Sequence, residues 1–354
     1  MKKTIYTLLF IVLCLSTNAF AISETVTLVA PNTLSTSLVN DKTLITDLTI
    51  IGEIDQRDFA FMNTQMTSLA NLDLENAVIK YYTSTYKGDT IPSRAFENKA
   101  TLVSVTFPQN LEAVGTYAFK ACVNLTTVNY NSGLKYIESY AFQGCLLLSS
   151  KPENLSLTGV GGYAFGNCEG LLGDLVLNEG LTLVGTGGFT ACQGLTSVTL
   201  PSTVTRLDQS AFSGKTGTVS NITKFTVRAT TPPTLGTSVF IRKNPGAVLY
   251  VPAESVSLYE AAAQWTDLVI NPITTVSVET VQQSKLKLSK TNNEISISAD
   301  EKIDQILLYD NCGRLLINKR FRENNAQIEL PAKGSYIIKV LFNERNIESL
   351  KLIN

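Results

Sequence analysis

Six phenylalanines recur along this chain at an almost fixed spacing. The intervals between them are 23, 23, 23, 24 and 23 residues, and an Ala or Gly precedes each one. The six are Phe96, Phe119, Phe142, Phe165, Phe189 and Phe212. A repeat of this period predicts one supersecondary unit that is copied and stacked into a solenoid. Such an array offers a long surface and no dedicated pocket, so the sequence predicts the architecture more closely than it predicts a ligand.

Within each repeat, apolar residues follow the Phe at offsets of six, nine, eleven, fifteen and eighteen. After Phe119 these positions hold Leu125, Val128, Tyr130, Leu134 and Ile137. Offsets nine and eleven alternate with polar neighbours, which predicts a short strand whose apolar side chains fill the core. The Phe itself is expected on an opposite wall made of turns or short helices. The pattern therefore predicts an α/β solenoid of 23-residue repeats.

Two repeats depart from this pattern. One residue is inserted after Leu171, which accounts for the single interval of 24. In the repeat after Phe142, the strand positions hold Lys151 and Glu153 beside Pro152. Either a local loop replaces the strand or the charges form a functional notch. The loop is the favoured interpretation, because loops absorb irregularity at low cost.

The first 21 residues are typical of an export signal. Lys2 and Lys3 precede an apolar run, and Ala19–Ala21 form a small-x-small cleavage site, so the mature chain is expected to begin at Ile22. Cys14 lies inside the apolar run and lacks the small residues that precede a lipidated cysteine. No later segment approaches the ~20 consecutive apolar residues of a membrane span. The sequence therefore predicts an exported protein without a transmembrane span.

The remaining chain divides by composition into three parts. Residues 22–95 are predicted to form an N-terminal cap with a helix over residues 55–66, begun by the acidic Asp55. Residues 96–272 form the solenoid, which ends in a capping strand at 249–252 and an amphipathic helix carrying Tyr259, Ala262 and Trp265. Residues 281–354 form a separate C-terminal module. Solenoids need caps at both ends because the terminal coils would otherwise expose their core.

The C-terminal module contains seven short segments of alternating hydrophobicity separated by turn residues. They lie at 286–288, 295–297, 306–309, 315–317, 328–330, 336–340 and 350–352. This pattern predicts a small seven-stranded β-sandwich.

The signature Ala118-Phe119, Cys122 and Leu125, together with Leu249–Pro252 and Tyr259…Trp265, resembles the BspA-like leucine-rich-repeat surface proteins of bacteria. The resemblance covers about residues 40–272. It implies a leucine-rich-repeat fold and a secreted or cell-surface protein of the adhesin type that binds host or microbial macromolecules. The Cys position holds Lys99 in the first copy and Lys215 in the last, which we interpret as end effects.

A second resemblance concerns the C-terminal module. The segments 309–313 and 330–336, followed by a strand that ends on Lys351-Leu352-Ile353, look like a type IX secretion sorting domain. The resemblance implies delivery of the protein through the outer membrane.

Composition excludes several classes of function. The chain has no histidine, which excludes Ser-His-Asp and Cys-His catalysis and His-ligated metal sites. Residues 1–21 hold two Lys and no acid, so the mature chain has 27 basic against 30 acidic side chains and a net charge of −3. Nucleic-acid binding requires a concentrated cationic stripe, and none is present. No cofactor motif and no carboxylate pair that can be placed across a cleft is identifiable.

Four cysteines, Cys122, Cys145, Cys168 and Cys192, each follow a repeat Phe by three residues. On coils stacked about 4.8 Å apart their sulfurs would spread over about 14 Å. A zinc ion needs its sulfurs ~2.3 Å from one centre, so no metal site is predicted. Adjacent pairs lie within disulfide range, and export allows oxidation. Buried free thiols acting as small apolar fillers are the favoured interpretation.

The outward positions of the predicted strands are the candidate ligand-binding face. By alternation they are Ser104, Thr106, Thr127, Asn129, Asp174, Val176, Ser197, Thr199, Lys224, Thr226 and Arg228. Short hydroxyl and amide side chains predominate, which suits hydrogen bonding to a polypeptide or a glycan. The sequence therefore predicts a non-catalytic binding protein whose partner is a host or microbial surface protein or a glycan. The alternatives are a polysaccharide-binding accessory protein and a carboxylate-dependent glycan-acting enzyme.

Overall fold

Successive repeats coil into a solenoid with two walls of parallel strands and a third wall of turns. The computed structural model describes residues 21–80, 89–153, 155–273, 286–291, 294–310, 315–330, 335–342 and 346–353. The export signal predicted for residues 1–21 lies outside this range apart from Ala21, so it stays a prediction. The chain divides into two compact units, residues 1–273 and 274–354.

The strands of the first unit are short and parallel. In chain order they are β1 (Ile22–Leu28), β2 (Ile45–Ile54), β3 (Asn71–Asp73), β4 (Ala77–Ile79), β5 (Thr90–Ile91), β6 (Ser104–Thr106), β7 (Ala113–Val114), β8 (Thr127–Asn129), β9 (Tyr136–Ile137), β10 (Gly159–Val160), β11 (Gly173–Val176), β12 (Leu183–Val184), β13 (Leu195–Leu200), β14 (Arg206–Leu207), β15 (Lys224–Val227), β16 (Thr234–Leu235), β17 (Val248–Val251) and β18 (Val269–Pro272). The helices are α1 (Leu34–Ser37), α2 (Gln56–Gln65) and α3 (Val256–Ala261), with 3₁₀ turns at Ala253–Ser255 and Trp265–Asp267.

Three sheets build the two strand walls. The first wall consists of the sheet β1-β2-β3-β6-β8, with β4 beside β2, and of the sheet β11-β13-β15-β17-β18. The second wall is one continuous sheet in the order β5-β7-β9-β10-β12-β14-β16. The sequence predicted only the first strand of each repeat. The strands of the second wall are two residues long, too short to produce an alternating pattern.

The third wall, which carries the repeat Phe, consists of turns. A residue with a positive φ lies two positions before the Phe and, in most repeats, another lies two positions after it, as with Tyr117 (60°) and Ala121 (57°) around Phe119. Left-handed residues cannot continue a right-handed helix, so the short-helical alternative for this wall is wrong within residues 92–153 and 155–217. Phe240 is flanked in the same way by Ser238 and Arg242. It is therefore a structural member of the repeat series.

The left-handed turns give a testable stability effect. Ala121 has φ 57°, and a left-handed residue with a Cβ costs about 1–2 kcal/mol. We expect Ala121→Gly to raise the free energy of unfolding by up to about 1 kcal/mol, because relief of this strain exceeds the entropy that Gly adds to the unfolded chain. Ala100→Gly, at a nearby exposed position without a positive φ, should lower it. Urea unfolding of both variants measures the difference; destabilisation of equal size in both would contradict the strain argument.

The repeat phenylalanines form a continuous aromatic column through the core. Neighbouring rings from Phe96 to Phe212 have centroids 5.1–5.6 Å apart and are close to parallel. The column continues at one end to Phe59 of α2, and at the other through Phe225 and Phe240 to Trp265. These rings are all almost fully buried. The column therefore joins both caps to the repeats in one hydrophobic core.

The N-terminal cap closes the column through α2. Asp55 and Asp58 form a capping box at the start of this helix, as the acidic residue in the sequence predicted. At its other end the Lys99 ammonium donates to the carbonyl oxygens of Met66 (2.8 Å) and Asn63 (3.2 Å). Burial lowers the pKa of Lys99. The cation complements the negative end of the helix, which explains why the first repeat has Lys at the cysteine position.

The C-terminal cap closes the other end with two large polar aromatics. The Tyr259 hydroxyl donates to the carbonyl of Ala229 at 2.8 Å, and Trp265 Nε1 donates to the carbonyl of Pro233 at 3.1 Å. Both side chains are buried, and each has its polar atom satisfied. The predicted capping strand is β17, but the predicted helix is wrong in its extent: α3 ends at Ala261 because Ala262 is extended, and Trp265 lies in a separate 3₁₀ turn. Among the described residues, no helix combines the length and the apolar character needed to cross a bilayer.

The second unit is an antiparallel sheet with its own buried core. Its strands are β19 (Leu286–Thr291), β20 (Glu294–Asp310), β21 (Leu315–Glu329), β22 (Ser335–Phe342) and β23 (Asn346–Ile353). The described part has five strands and not the seven predicted, because the segments 295–297 and 306–309 both lie in β20, and 315–317 and 328–330 both lie in β21. Register shifts between Ser298 and Gln305 interrupt the pairing and divide the hydrophobic pattern. The two-layer sandwich stays a prediction.

Candidate functional site

The first strand wall presents the polar face that the sequence predicted. Val105, Val128, Leu175, Val198 and Phe225 point into the core and are almost completely buried. The residues that alternate with them are half-buried or exposed. All eleven candidate residues therefore lie on the outside of this wall or, in the case of Arg228, just after β15.

Parallel register aligns these side chains into rows. Ser104 pairs with Thr127, and Thr106 pairs with Asn129. On the second sheet of the wall, one row contains Asp174, Ser197 and Lys224, and the other contains Val176, Thr199 and Thr226. Asp174, Leu175 and Val176 pair with Ser197, Val198 and Thr199, so the rows are in phase again after the residue inserted behind Leu171. A register shift between Gly173 and Asp174 leaves one residue of β13 unpaired just before these rows.

The face is divided in two by a gap between β8 and β11. Residues 149–153 form a loop there, as the favoured interpretation of Lys151 and Glu153 predicted. The candidates Ser104, Thr106, Thr127 and Asn129 lie on one side of the gap. The other seven lie beyond it.

Side chains of the loop satisfy the edges of both sheets. Ser150 Oγ accepts a hydrogen bond from the backbone N–H of Val128 (3.0 Å), and Glu153 Oε1 accepts one from that of Val176 (2.8 Å). Lys151 donates to the carbonyl of Asp174 and forms an ion pair with Glu153 (3.5 Å). Lys151 and Glu153 therefore satisfy backbone groups that a strand at this position would have paired. This structural role accounts for both charges without a ligand.

Hydrogen bonds between neighbouring coils hold the polar side chains in place. The Ser197 hydroxyl donates to Asp174 Oδ1 at 2.6 Å, and the Asn129 amide donates to Thr106 Oγ1 at 3.0 Å. Asp174 therefore has a fixed partner within the wall. The face is pre-organised, which lowers the entropic cost of binding an extended partner.

The same wall extends further than the sequence analysis proposed. At the N-terminal end, Asn71 donates to Asp47 Oδ1 (2.8 Å) and accepts from the Ser104 hydroxyl (2.7 Å), so the cap lengthens the row of Ser104 and Thr127 by two residues. At the C-terminal end, Tyr250 lies next to Thr226, and the Lys224 ammonium is 5.2 Å from its ring centroid. Alternation along 248–251 would have placed Tyr250 outward, but this strand was considered only as a cap.

The four repeat cysteines are free and buried. Each thiol donates to the carbonyl of the Phe in the preceding repeat, at Sγ to O distances of 3.0–3.1 Å. Burial raises the pKa of Cys122 and of Cys192 to about 12, and it raises the pKa of Cys145 and Cys168 well above the usual range. The four cysteines therefore fill space in the core and also hydrogen-bond to the preceding coil. Their raised pKa makes them poor nucleophiles.

Comparison with known proteins bears on the repeat array. Residues 89–227 match the model of the BspA type leucine rich repeat region in six copies. The match supports the leucine-rich-repeat assignment that the Ala-Phe-x-x-Cys-x-x-Leu signature suggested. Among curated proteins, none matches this sequence significantly.

Three similar solved structures cover part of the chain. A leucine rich repeat protein of T. pallidum is 28% identical, with a TM-score of 0.35, over 42% of this chain and 71% of that one. A leucine-rich repeat protein of Bacteroides ovatus ATCC 8483 is 23% identical, with a TM-score of 0.36, over 51% and 47%. A leucine rich cell surface protein of Faecalibacterium prausnitzii A2-165 is 22% identical, with a TM-score of 0.37, over 63% and 50%. The matches span about half the length of the latter two proteins.

Proposed function

We propose that this protein is an exported, non-catalytic binding protein whose first strand wall recognises an extended protein or glycan partner at the cell surface. The observation that carries the proposal is the alignment of outward hydroxyl and amide side chains on successive coils. Each coil offers a weak contact, and an extended partner can engage several of them together. The six BspA-type copies support assignment to the leucine-rich-repeat surface proteins.

The absence of catalysis is part of this proposal. A glycan-acting enzyme would need two carboxyl groups on either side of the scissile bond. On the first wall, Asp47 and Asp174 are held by hydrogen bonds from Asn71 and Ser197, which suits a structural role for these two carboxylates.

A screen of the purified protein tests the proposal directly. The protein is incubated with immobilised extracellular matrix proteins and with a glycan array, and soluble glycans are analysed for cleavage products. Retention on a defined protein or glycan without product formation is expected. Glycan cleavage that depends on Asp174 would support the enzyme alternative.

The C-terminal unit is proposed to serve in delivery, in the manner of a type IX sorting domain. Parts of the two segments that carry this resemblance, residues 311–313 and 331–334, lie outside the described residues. Each unit has its own buried core, so deletion of residues 281–354 should leave the melting temperature of the solenoid within about 2 °C. The truncated protein should accumulate in the periplasm and not outside the cell, as measured by fractionation. Unfolding of the truncated solenoid would mean that the C-terminal unit acts as a structural cap.

A further inference from the structure

The second strand wall carries an open groove of about 820 Å³. Its floor includes a row of aligned strand residues on successive coils: Ala113, Tyr136, Gly159 and Leu183. Because neighbouring parallel strands lie about 4.8 Å apart, these four residues span about 14 Å. This length suits a short linear ligand that lies across the coils.

Tyr136 is the aromatic residue of this row and is 51% exposed, whereas its neighbour Ile137 is buried in the core. The adjacent coils place small residues, Ala113 and Gly159, on either side of it. A Cβ added at Gly159 would meet no atom within 4 Å, so open space lies beside the tyrosine. Core packing does not account for an aromatic side chain in this position.

The lining around Tyr136 is rich in hydrogen-bonding groups. Glu112 forms an ion pair with Lys135. Glu138 accepts hydrogen bonds from the backbone N–H (2.9 Å) and the hydroxyl (2.8 Å) of Thr116. Lys135 therefore balances the charge of Glu112, whereas the uncharged donors of Thr116 orient Glu138 without neutralising it, and both carboxylates retain lone pairs for further donors. The groove therefore offers two oriented carboxylate acceptors beside an exposed aromatic ring.

We propose that this groove binds a neutral saccharide, with a sugar ring against Tyr136 and sugar hydroxyls donating to Glu112 and Glu138. A pyranose combines an apolar C–H surface with a rim of hydroxyl donors, which matches an exposed aromatic flanked by carboxylate acceptors. A basic peptide fits less well, because Glu112 is already paired with Lys135, which leaves Glu138 as a single carboxylate of the lining for a cationic side chain. This site lies on a different wall from the hydroxyl-rich face and does not depend on the function proposed for that face.

Two variants of different chemistry test the site. Tyr136→Ala removes the aromatic ring. Gly159→Val fills the open space beside it, and φ at Gly159 lies outside the left-handed region, so a side chain is sterically allowed there. Phe61→Ala, which removes a half-buried ring of α2 in the N-terminal cap, is the matched control. The probes are cellohexaose, mannohexaose and chitohexaose, with oligogalacturonate and oligolysine as charged comparators, measured by titration calorimetry on the purified protein.

We expect at least one neutral hexasaccharide to bind. Tyr136→Ala and Gly159→Val should each weaken this binding by at least about tenfold, as expected of a central aromatic contact. Phe61→Ala should leave it within about twofold, because Phe61 lies in the N-terminal cap and does not line the groove. Melting curves show whether each variant is folded. If Tyr136→Ala does not fold, Gly159→Val still tests the groove.

Three results would overturn the proposal. One is the absence of binding to all three neutral saccharides at millimolar concentration. Another is binding that both groove variants leave unchanged. A third is binding of oligolysine in the absence of saccharide binding, which would assign the groove to a basic peptide.

Discussion

Replacement of Phe165 by Ala is expected to lower the free energy of unfolding by about 3–5 kcal/mol. Phe165 is completely buried in the middle of the aromatic column, with the rings of Phe142 and Phe189 at 5.3 and 5.1 Å. The substitution removes its buried area, leaves a cavity and breaks two ring contacts. Because domains are stable by only ~5–15 kcal/mol, this is a large fraction of the total. Urea unfolding followed by fluorescence measures the loss.

A matched substitution shows whether the loss of stability is specific to the Phe column or follows from removing any aromatic ring of the repeat. Tyr163→Ala removes a ring that is only half-buried and stacks on Tyr140 at the surface of the same coil. It should cost much less than Phe165→Ala, because less apolar area leaves the core. Equal losses for the two variants, or an unchanged unfolding midpoint for Phe165→Ala, would contradict the assignment of the Phe column as the core.

The solenoid is also expected to lose stability steeply above about pH 9. Burial raises the pKa of all four repeat thiols, to about 12 for Cys122 and Cys192. Unfolded thiols ionise near pH 8.5. Between these values the folded state holds the protons and the unfolded state releases them, so stability falls as the pH rises. Each thiol contributes about 1.4 kcal/mol per pH unit, so the four together can lower stability by roughly 5 kcal/mol per unit.

Unfolding free energies from pH 7 to 10.5, measured in the presence of a reductant, test this expectation. The free energy of unfolding should be constant below about pH 8. Above that pH it should fall with a slope that corresponds to the release of nearly four protons on unfolding. Burial lowers the pKa of Lys99, which acts in the opposite direction by at most one proton. Cys145→Ala should reduce the slope by about one proton. A slope that Cys145→Ala does not change would show that the thiols are not its cause.

Alternation in the sequence was sufficient to predict the first strand wall. Val128 between Thr127 and Asn129, or Val198 between Ser197 and Thr199, shows which side of a strand is buried. The structure agrees with this at every candidate position. The capped helix α2 was predictable for a similar reason, since Asp55 provides a local start signal.

Features that depend on neighbouring coils were not predictable. The strand β9 contains only Tyr136 and Ile137, so its pairing arises from stacking and not from a pattern within the repeat. The groove around Tyr136 was missed for this reason. The role of Lys99 likewise depends on carbonyl groups of residues 63 and 66, which are distant in sequence.

In the C-terminal unit, the sequence pattern predicted too many strands, because two of the antiparallel strands are long. β20 and β21 each contain two hydrophobic segments, and the register shifts within their pairing divide each strand into what resemble two shorter ones. Periodicity detects which residues are buried, but a bulge and a turn interrupt it in the same manner.

The most direct test of the proposed binding face compares two sets of variants. The quantity measured is the affinity of each purified variant for the partner identified by screening. One set changes Thr127, Asn129, Ser197 and Thr199 to Arg; the control changes the turn-wall residues Asn124 and Gln143 to Arg. Surface plasmon resonance should show binding abolished in the first set, with little change in melting temperature, and an affinity within about twofold of the wild type in the control. Loss of binding in the control, together with normal binding by the first set, would contradict the assignment of the hydroxyl-rich strand wall as the binding face.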